Sequence, residues 1–549
     1  MSAQLARVER IIDASGVTQR IELLLPAGVR PRQLKVPTLL IGMTLTMLAG
    51  RDALLTNVLA VLLELPVAEQ RRLGVIVPWK YTEHTLTYRQ LEYTYRLISR
   101  RLAKEKPDGS PSETLAEVLD ALLEASVQAH GEPASDSYAV DWTAQETWSR
   151  PPPKPKKPAH AESQTEPADG DPQPATTATG NDPQPARTPD NPPQQPDQHQ
   201  RRSDREAAWG HRTVTHPAEN DMFFGYYLQA LTAVRDEHDP QVPELVRRMH
   251  LASCQHDPPT EIVPVIQRMH TSGIRIADLL ADSGYSYRQP STFALPIRAL
   301  GASLIIDLHP NDRGTHGTHM GATCHNGNLY CPATPTTLLQ LSPLPPAAST
   351  EQTETHDRHC AELARYKLSP ITSYDQDGYR RVICPAAQAK LRCPLKPDSM
   401  THPYDRPQVL NTPEHPPACC TQKTITVPPS INAKTAQKHD YPSRKHRTSY
   451  NRRTAAERTF ATLNDRSTND LSRGWCRLTG LTPIALFTAT ALIARNIRIA
   501  DAFAARQTDN QRRAANGLPP RQRRPRRQST ENLINAANAP PPEPAALAA

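Results

Sequence analysis

The chain is poor in the residues that build a large hydrophobic core. Of its 549 residues only 6 are Phe, whereas 56 are Pro, and the mean hydropathy is −0.60. This composition predicts folded domains diluted by segments that have no core of their own. Long apolar runs are also scarce. The most apolar run, Val36 to Gly50, has 15 residues and three threonines, short of the roughly 20 needed to cross a bilayer. We therefore expect a buried helix there and no membrane partner.

Neither an export signal nor the usual zinc-binding spacing is present. The N-terminal residues lack an apolar segment of the length that a secretory signal needs, which predicts a cytoplasmic protein with reduced cysteines. None of the nine cysteines lies two residues from another. Most of them fall in one region, as Cys324-x6-Cys331, Cys384-x8-Cys393 and the adjacent Cys419 and Cys420. We expect ordinary buried thiols there, with a structural Zn²⁺ as the less favoured alternative.

Positive charge is in excess, with 64 Lys and Arg against 56 acids and a formal charge of +8. Such a balance favours a polyanionic partner, because a basic surface attracts phosphate backbones of any sequence. From Tyr441 to Arg458 there are six bases and a single acid, Glu457. From Arg506 to Arg527 there are eight arginines and one acid. The latter segment is typical of a tail that binds nucleic acid or improves solubility.

The pattern along the chain predicts seven segments. Residues 1–130 are expected to be helical, with Thr87 and Gln90 as a capping box and Ser110 as the N-cap of the next helix. Between Pro151 and Gln200 there are 14 prolines and no large apolar residue, which predicts disorder. The segments are a helical N-terminal domain (1–130), the first strand of a core (131–149), a disordered insertion (150–205), more core (206–310), a Cys/His-containing insertion (311–440), core helices (441–505) and a basic disordered tail (506–549).

The core segments alternate between strand and helix patterns. Strands are predicted at Ser137 to Thr143 and in "DMFFGYYLQALTAV", "IRIADLLADSGYS" and "ASLIIDLHP", and helices in "PTEIVPVIQRMHTSG" and "TFALPIRALG". This order predicts an α/β fold with a sheet flanked by helices.

Three acids of this core stand out by position. Asp141 lies within the first strand, Asp282 ends a later strand, and Glu457 lies on a helix. Carboxylates that converge from strand ends and a helix can hold Mg²⁺, and a pair of such ions stabilises phosphodiester displacement. Asp278, four residues before Asp282, competes for the second position.

A local pattern around Glu457 makes the hypothesis more specific. Tyr450, Arg453, Glu457 and Asn464 are separated by 3, 4 and 7 residues, so on one helix they would point in nearly the same direction. The pattern resembles the Tyr-x2-Arg-x3-Glu-x6-Lys signature of bacterial insertion-sequence DDE transposases. "YAVDWT", "FFGYYLQ" and "LLADSGY" resemble strands of the same group. The resemblance covers roughly residues 137–149, 206–310 and 441–500.

The resemblance implies a ribonuclease-H-like fold and cut-and-paste transposition, in which DNA is cleaved at the ends of an element and the freed 3′-OH attacks target DNA. The implied catalytic and metal-ligating residues are Asp141, Asp282 and Glu457, with two Mg²⁺ ions for which Mn²⁺ can substitute. The residues implied to bind DNA are Tyr450, Arg453 and Asn464. The implied partners are double-stranded DNA, as target and as terminal inverted repeats that the N-terminal domain (1–130) would recognise, and a second copy of the chain. The implied location is the bacterial cytoplasm, at the nucleoid.

One position departs from the signature, because Asn464 stands where the family has Lys. An amide supplies no charge, so weaker binding to DNA ends is expected. The nearest cations that could replace the lysine are Arg458 and Arg466. The departure leaves two alternatives open, a catalytically decayed DNA-binding protein and a metal-dependent nuclease on the same fold.

Overall fold

The computed structural model describes residues 2–26, 32–79, 81–131, 135–153, 204–212, 221–286, 288–345, 348–375, 377–465 and 467–521. The chain divides into two compact units, residues 1–499 and 500–549. The disordered insertion expected at 150–205 lies almost wholly outside the described residues.

The N-terminal region is mostly helical, as expected, but it also contains a β-hairpin. Its helices are α1 (Ser2–Ser15), α2 (Val17–Leu24), α3 (Val36–Leu48), α4 (Leu55–Leu63), α5 (Val67–Arg72), α6 (Tyr88–Leu102) and α7 (Glu113–Gln128). The hairpin strands are β1 (Ile76–Trp79) and β2 (Thr82–Thr85). An all-helical region was therefore the wrong expectation, because the short run "VIVPW" that leads into the hairpin carries β-forming residues.

The starts of α6 and α7 were both predicted from capping residues in the sequence. Thr87 and Gln90 form the expected capping box at α6. The start expected at Ser110 is wrong, since α7 begins at Glu113 and its N-cap is Ser112, whose hydroxyl accepts a hydrogen bond from the Leu115 amide at 3.0 Å. Ser110 instead donates its hydroxyl to Asp108 at 2.7 Å.

A six-stranded mixed sheet forms the centre of the fold. Its strands are β3 (Ser137–Glu146), β4 (Ala208–His211), β5 (Met222–Val234), β6 (Val246–Ser253), β7 (Asp278–Ala281) and β8 (Ser303–Ile306). Strand β5 is antiparallel to β3 on one edge and to β4 and β6 on the other, whereas β7 lies between β3 and β8 and is parallel to both. Helices α8 (Pro258–Thr271), α9 (Ser283–Ser286) and α10 (Ala294–Ala299) connect the later strands. The expectation of an α/β fold with a mixed sheet is confirmed.

The insertion at 311–440 is more regular than expected. It contains two three-stranded antiparallel sheets, and a 17-residue helix lies between them. The strands are β9 (Thr315–His319), β10 (Ala322–His325), β11 (Asn328–Tyr330), β12 (Ser369–Pro370), β13 (Arg380–Ile383) and β14 (Ile425–Val427), and the helices are α11 (Thr336–Leu339), α12 (Thr350–Tyr366) and α13 (Ala418–Thr421). A capping box of Ser349 and Gln352 starts α12, which is a sequence signal that the irregular assignment overlooked.

The C-terminal segment returns to the core. It comprises α14 (Arg444–Tyr450), a 3₁₀ turn (Asn451–Arg453), α15 (Thr454–Leu463), the short strands β15 (Asn464–Asp465) and β16 (Asn469–Asp470), and α16 (Leu481–Ala515). Because α16 continues to Ala515, the first ten residues of the expected disordered tail are helical, whereas residues 522–549 are not described. Within the described residues α16 is long and apolar enough to span a membrane, but 83% of its most apolar window is buried, as in a core helix.

The two faces of the sheet pack against different helices. On one face, Tyr226, Leu228 and Met249 share a single hydrophobic core with the N-terminal helices and the first half of α16. At β3, β7 and β8 the same face packs against the small side chains of Ala455 and Ala456 on α15, whereas the opposite face packs against α8 and α10. Small residues let α15 approach the sheet closely, so this helix is held at a fixed position above β3, β7 and β8.

Asn496 links α16 to the sheet and to α7. Its side chain is fully buried, its Oδ1 accepts from the Val246 amide at 2.8 Å, and its Nδ2 donates to the Val246 carbonyl at 2.8 Å and to Ser126 at 2.9 Å. We expect Asn496→Ala to lower the free energy of unfolding by about 2–4 kcal/mol, because buried backbone groups lose their partners. Chemical denaturation measures the change. The exposed Asn311→Ala is the control, and an equal effect of the two variants would contradict this role.

His446 makes folding dependent on pH. It lies on α14, with Nε2 3.0 Å from the Ile306 carbonyl oxygen and its ring stacked on Tyr450. Burial lowers the pKa of His446 from 6.5 to about 4. Below pH 6.5 the unfolded chain therefore takes up a proton that the folded chain refuses until about pH 4. The corresponding stability is intact above pH 6.5 and decreases by roughly 3 kcal/mol as the pH falls through this window.

The measurement is the free energy of unfolding at a series of pH values between 7 and 4. We expect His446→Gln, which keeps a hydrogen-bonding group and cannot titrate, to flatten the dependence. Some slope should remain, because burial also lowers the pKa of His325 to about 4. The exposed His270→Gln serves as the matched control. A slope that is as steep in His446→Gln as in the unaltered protein would refute the assignment.

Candidate active site

Two of the predicted acids lie side by side on neighbouring strands in the middle of the sheet. Asp141 lies in β3 and Asp282 directly follows β7. These strands are parallel and pair Ala139 with Leu280, so the same register places Asp141 level with Asp282. Side chains alternate along a strand, and both acids therefore belong to the face of Ala139 and Leu280, which packs against α15.

The environment of these two carboxyls disfavours their charged forms. Burial, and next to it the neighbouring Asp282, raises the pKa of Asp141 to about 6. Burial likewise raises the pKa of Asp282. Backbone amides partly compensate, since the Trp142 amide donates to Asp141 at 2.8 Å and the Gly284 amide donates to Asp282 at 2.9 Å. Two buried acids that repel each other would be stabilised by a cation placed between them.

The glycine after Asp282 has a steric role. A Cβ at Gly284 would lie 2.3 Å from the ring of Trp142, so only glycine allows the turn to approach β3 this closely. The ring of Trp142 also meets that of Tyr285, with centroids 4.7 Å apart. Trp142, which follows Asp141, thus packs against Gly284 and Tyr285, which follow Asp282, and this contact fixes the relative positions of the two acids.

Glu457 reaches the same place from the helix. It follows Ala455 and Ala456 on α15, and its side chain remains 52% exposed. Arg453, one helical turn earlier, donates to Asp141 at 3.0 Å and also to Glu457. A single guanidinium therefore joins two of the three predicted acids, and its charge also opposes the rise in the pKa of Asp282.

Tyr450 belongs to the same cluster. Its ring lies 5.5 Å from the guanidinium carbon of Arg453 and stacks on His446, with centroids 5.7 Å apart. Burial raises the pKa of Tyr450, so the phenol stays a neutral hydrogen-bonding group. The structure thus brings together Tyr450, Arg453, Glu457, Asp141 and Asp282.

Asn464 does not lie where the signature predicted. Helix α15 ends at Leu463, and Asn464 is an exposed residue that caps the helix and begins β15. In addition, the 3₁₀ turn at Asn451–Arg453 interrupts the single helix on which the four residues of the signature were expected. Arg458, one of the cations considered as a replacement, is paired with Glu244. Arg466 lies outside the described residues.

Asp278 has a different environment from Asp282. It is at the opposite end of β7, with only 3% of its side chain exposed, and Arg452 and Lys438 each donate to it at 2.8 Å. Its charge is therefore satisfied within the protein, which favours Asp282 over Asp278 as the second acid of the site.

A fourth acid, at the end of a neighbouring strand, was overlooked in the sequence. Strand β8 pairs in parallel with β7, with Ile306 opposite Ala281, so Asp307 lies level with Asp282. It accepts a hydrogen bond from the Tyr441 hydroxyl at 2.9 Å and lies 3.4 Å from Arg313. The available signal was the acid directly after "SLII", which repeats the arrangement of "DLLA" and Asp282.

A cavity of about 850 Å³ opens at β3, where Trp142, the neighbour of Asp141, lines it, although Asp141, Asp282 and Glu457 do not. Its lining combines aromatic, basic, acidic and amide side chains, including Trp142, Tyr227, His211, Arg212, Glu146, Arg473 and Asn464. Nearby, the half-exposed Trp148 lies under two guanidinium groups, with Arg473 at 5.8 Å and Arg477 at 5.2 Å from its ring centroid. Such surfaces suit phosphates and bases.

The acids fit a divalent cation by chemistry. Oxygen ligands suit Mg²⁺, and Asp141, Asp282 and Glu457 supply three carboxylates. Within the described ranges, no group of three or more His, Cys, Asp or Glu side chains is already arranged around a common metal position. Arg453 donates to both Asp141 and Glu457, so its guanidinium occupies the position that a metal ion would take.

Comparison with known proteins identifies no relative: no family model matches the chain, and no curated protein and no solved structure matches it at a significant level.

Proposed function

We propose that the chain is a DDE transposase, which cleaves DNA strands at the ends of a mobile element and transfers them into target DNA. The observation that carries the proposal is the convergence of Asp141, Asp282 and Glu457 around Arg453. Two of these acids are level on adjacent parallel strands, and the third comes from a helix packed on the same face. The mixed sheet with helices on both faces is compatible with the ribonuclease-H-like core that the resemblance implies.

Each group has a role in phosphoryl transfer. Asp141, Asp282 and Glu457 would hold two Mg²⁺ ions, which would activate water or a 3′-OH and stabilise the charge that develops on the phosphate oxygens. The residues of the chain position the reactants, which is the main contribution of the protein to such displacements. Trp142 and Gly284 keep the two strand-borne acids in place.

Arg453 links substrate binding to the acids. Its guanidinium neutralises Asp141 and Glu457 while the site has no other cation. A guanidinium binds phosphate and carboxylate in the same bidentate manner, so Arg453 can exchange these carboxylates for a DNA phosphate. The ring of Tyr450 supports the guanidinium from one side. DNA binding would in this way release the carboxylates for metal binding.

The cavity lined by Trp142 would offer a path for the DNA. Trp142 adjoins Asp141 and lines the cavity together with Arg212, Arg473 and Asn464. Since Asn464 lies there and not on α15, its proposed contact with DNA lies on the cavity side of the acids.

The carboxylates can be tested on supercoiled DNA that carries the sequences flanking the gene. With Mg²⁺, we expect end-specific nicking that Asp141→Asn, Asp282→Asn and Glu457→Gln each reduce by at least about a hundredfold, because charge at the reacting phosphate is no longer neutralised. The measurement is the rate at which nicked plasmid forms. Circular dichroism of each variant shows whether the fold is retained.

Two nearby acids make the test specific. Asp278→Asn should destabilise the protein by roughly 3–5 kcal/mol, because it disrupts the buried pair with Arg452, yet nicking should persist at low temperature. Asp307→Asn should also leave nicking in place. Loss of nicking in Asp307→Asn but not in Glu457→Gln would show that β8 supplies the third acid. Nicking without strand transfer would indicate a nuclease, and specific binding without nicking would indicate a decayed transposase.

Asn464→Lys tests the DNA path. A lysine there restores the charge that the signature has, so we expect affinity for the element ends to rise by about threefold to tenfold. The slope of log K against log salt should steepen by about 0.9, the value for one additional phosphate contact. Fluorescence anisotropy at several salt concentrations measures both quantities. Asn411→Lys, at an exposed position of the insertion, is the matched control, and equal changes in both variants would argue against a contact at Asn464.

A further inference from the structure

Two cysteines of the insertion are in contact with each other. Cys419 and Cys420 are neighbours in the four-residue helix α13, and their sulfur atoms lie 3.9 Å apart, within hydrogen-bonding distance for thiols. Both are free thiols in one small hydrophobic cluster. At 4% and 7% exposure they are accessible to a small oxidant but not to a bulky one. The insertion therefore contains a thiol pair whose sulfur atoms already face each other.

The two thiols of this pair differ in acidity. The hydrogen bond from the Cys419 thiol, together with the nearby ammonium group of Lys396, lowers the pKa of Cys420 to about 7. The same hydrogen bond raises the pKa of Cys419 far above its usual value. The first proton therefore leaves the pair near neutral pH, and the second is held between the two sulfur atoms. Since the thiolate is the nucleophilic form of cysteine, Cys420 is the more reactive member.

Helix α13 attaches the pair to the turn between β9 and β10. The Cys419 amide donates to the Met320 carbonyl in this turn at 3.0 Å, and the Cys420 amide donates to the Pro417 carbonyl at 2.8 Å. The approach is close, because a Cβ at Gly321 would lie 2.2 Å from Cβ of Pro417. The backbone conformation of the two cysteines thus determines how α13 packs against the turn.

We propose that Cys419 and Cys420 are a modification site at which hydrogen peroxide converts the two thiols into a reversible disulfide. The Cys420 thiolate attacks one peroxide oxygen, the O–O bond breaks, and the hydroxide that leaves takes up the proton that Cys420 had lost. The sulfur of Cys419 then displaces hydroxide from the sulfenic acid of Cys420, and the Cys419 proton converts this hydroxide to water. The two thiols lose two electrons and two protons, and the peroxide is reduced to two water molecules.

A disulfide between adjacent residues is strained, which makes the modification reversible. Consecutive Cα atoms are about 3.8 Å apart, whereas the Cα atoms of disulfide-bonded residues are usually about 4.4–6.8 Å apart. Closing the ring therefore distorts the backbone of α13 and weakens the hydrogen bonds that the two cysteine amides donate. Strained disulfides are readily reduced, so a reducing compartment would restore the thiols after the peroxide is consumed. Transient disulfides of this kind are typical of redox sensing in such compartments.

The test treats the full-length protein with hydrogen peroxide at neutral pH, after which the remaining thiols are alkylated under denaturing conditions. Digestion after Glu414 and Lys423 releases the peptide "HPPACCTQK", in which Cys419 and Cys420 are the sole cysteines. We expect mass spectrometry to show this peptide without alkylation and lighter by two hydrogen atoms. Treatment with dithiothreitol before alkylation should restore two alkylated thiols. Alkylation of both cysteines after peroxide, or a cross-link from either to another cysteine, would overturn the proposal.

Serine variants test the order of the reaction. In Cys419→Ser the sulfenic acid of Cys420 has no partner thiol, so dimedone, which reacts with sulfenic acids, should label Cys420 in this variant and much less in the unaltered protein. Cys324→Ser, in the same hydrophobic cluster, is the matched control and should still form the disulfide. An unlabelled Cys420 in Cys419→Ser, or loss of the disulfide in Cys324→Ser, would contradict the assignment.

Hydrogen exchange measures the structural consequence in the unaltered protein. Oxidation should reduce the protection of the Cys419 and Cys420 amides, because their hydrogen bonds to Met320 and Pro417 depend on the backbone conformation of α13. Protection in β5, at the centre of the core sheet, should stay the same and serves as the internal control. Equal protection of the two cysteine amides in the reduced and oxidised protein would refute the expected rearrangement of α13.

Discussion

The candidate site depends on a buried ion pair that does not belong to it. Arg452 has 3% of its side chain exposed and donates to Asp278 at 2.8 Å, as well as to the Arg235 carbonyl and Ser137. This pair fixes the 3₁₀ turn before α15 to the beginning of β3 and β7. The next residue, Arg453, can then reach Asp141, about 13 Å farther along the same strands. Breaking a buried pair of this kind typically costs 3–5 kcal/mol, so the position of α15 is strongly determined.

The basic segment from Tyr441 to Arg458 exposes less positive charge in the fold than its sequence suggests. Four of its six bases pair with acids, three of them with acids outside the site: Arg447 with Asp357, Arg452 with Asp278, and Arg458 with Glu244, whereas Arg453 pairs with Asp141. The exposed Arg444 and Lys445 remain on the surface of α14. Much of the local excess of positive charge is therefore neutralised inside the protein, and it cannot by itself be taken as a DNA-binding surface.

The sequence predicted the elements whose signals are local. Strands β5, β7 and β8 follow apolar runs, and Asp141, Asp282 and Glu457 were placed by such runs and by a short motif. Strand β6 was missed because it contains two arginines, Arg247 and Arg248, which can be buried because Glu124 of α7 pairs with both. Asn464 was misplaced because nothing in the sequence marks the end of α15 at Leu463. In each failure the deciding interaction involves residues far apart in the chain or a backbone geometry that spacing alone does not reveal.

Arg453 and the proposed metal would compete for the same carboxylates, since Arg453 donates to Asp141 and Glu457. Burial raises the pKa of Asp141 and Asp282, so these acids require a positive charge nearby to stay ionised near neutral pH. Arg453 supplies that charge from within the protein, but a guanidinium cannot activate water. A divalent ion can do so, and under the proposed function it would gain access to the carboxylates only where Arg453 binds another anion. A DNA phosphate is such an anion. On this argument Arg453 would make metal binding conditional on substrate, which would restrict a hydrolytic site to DNA that is already bound.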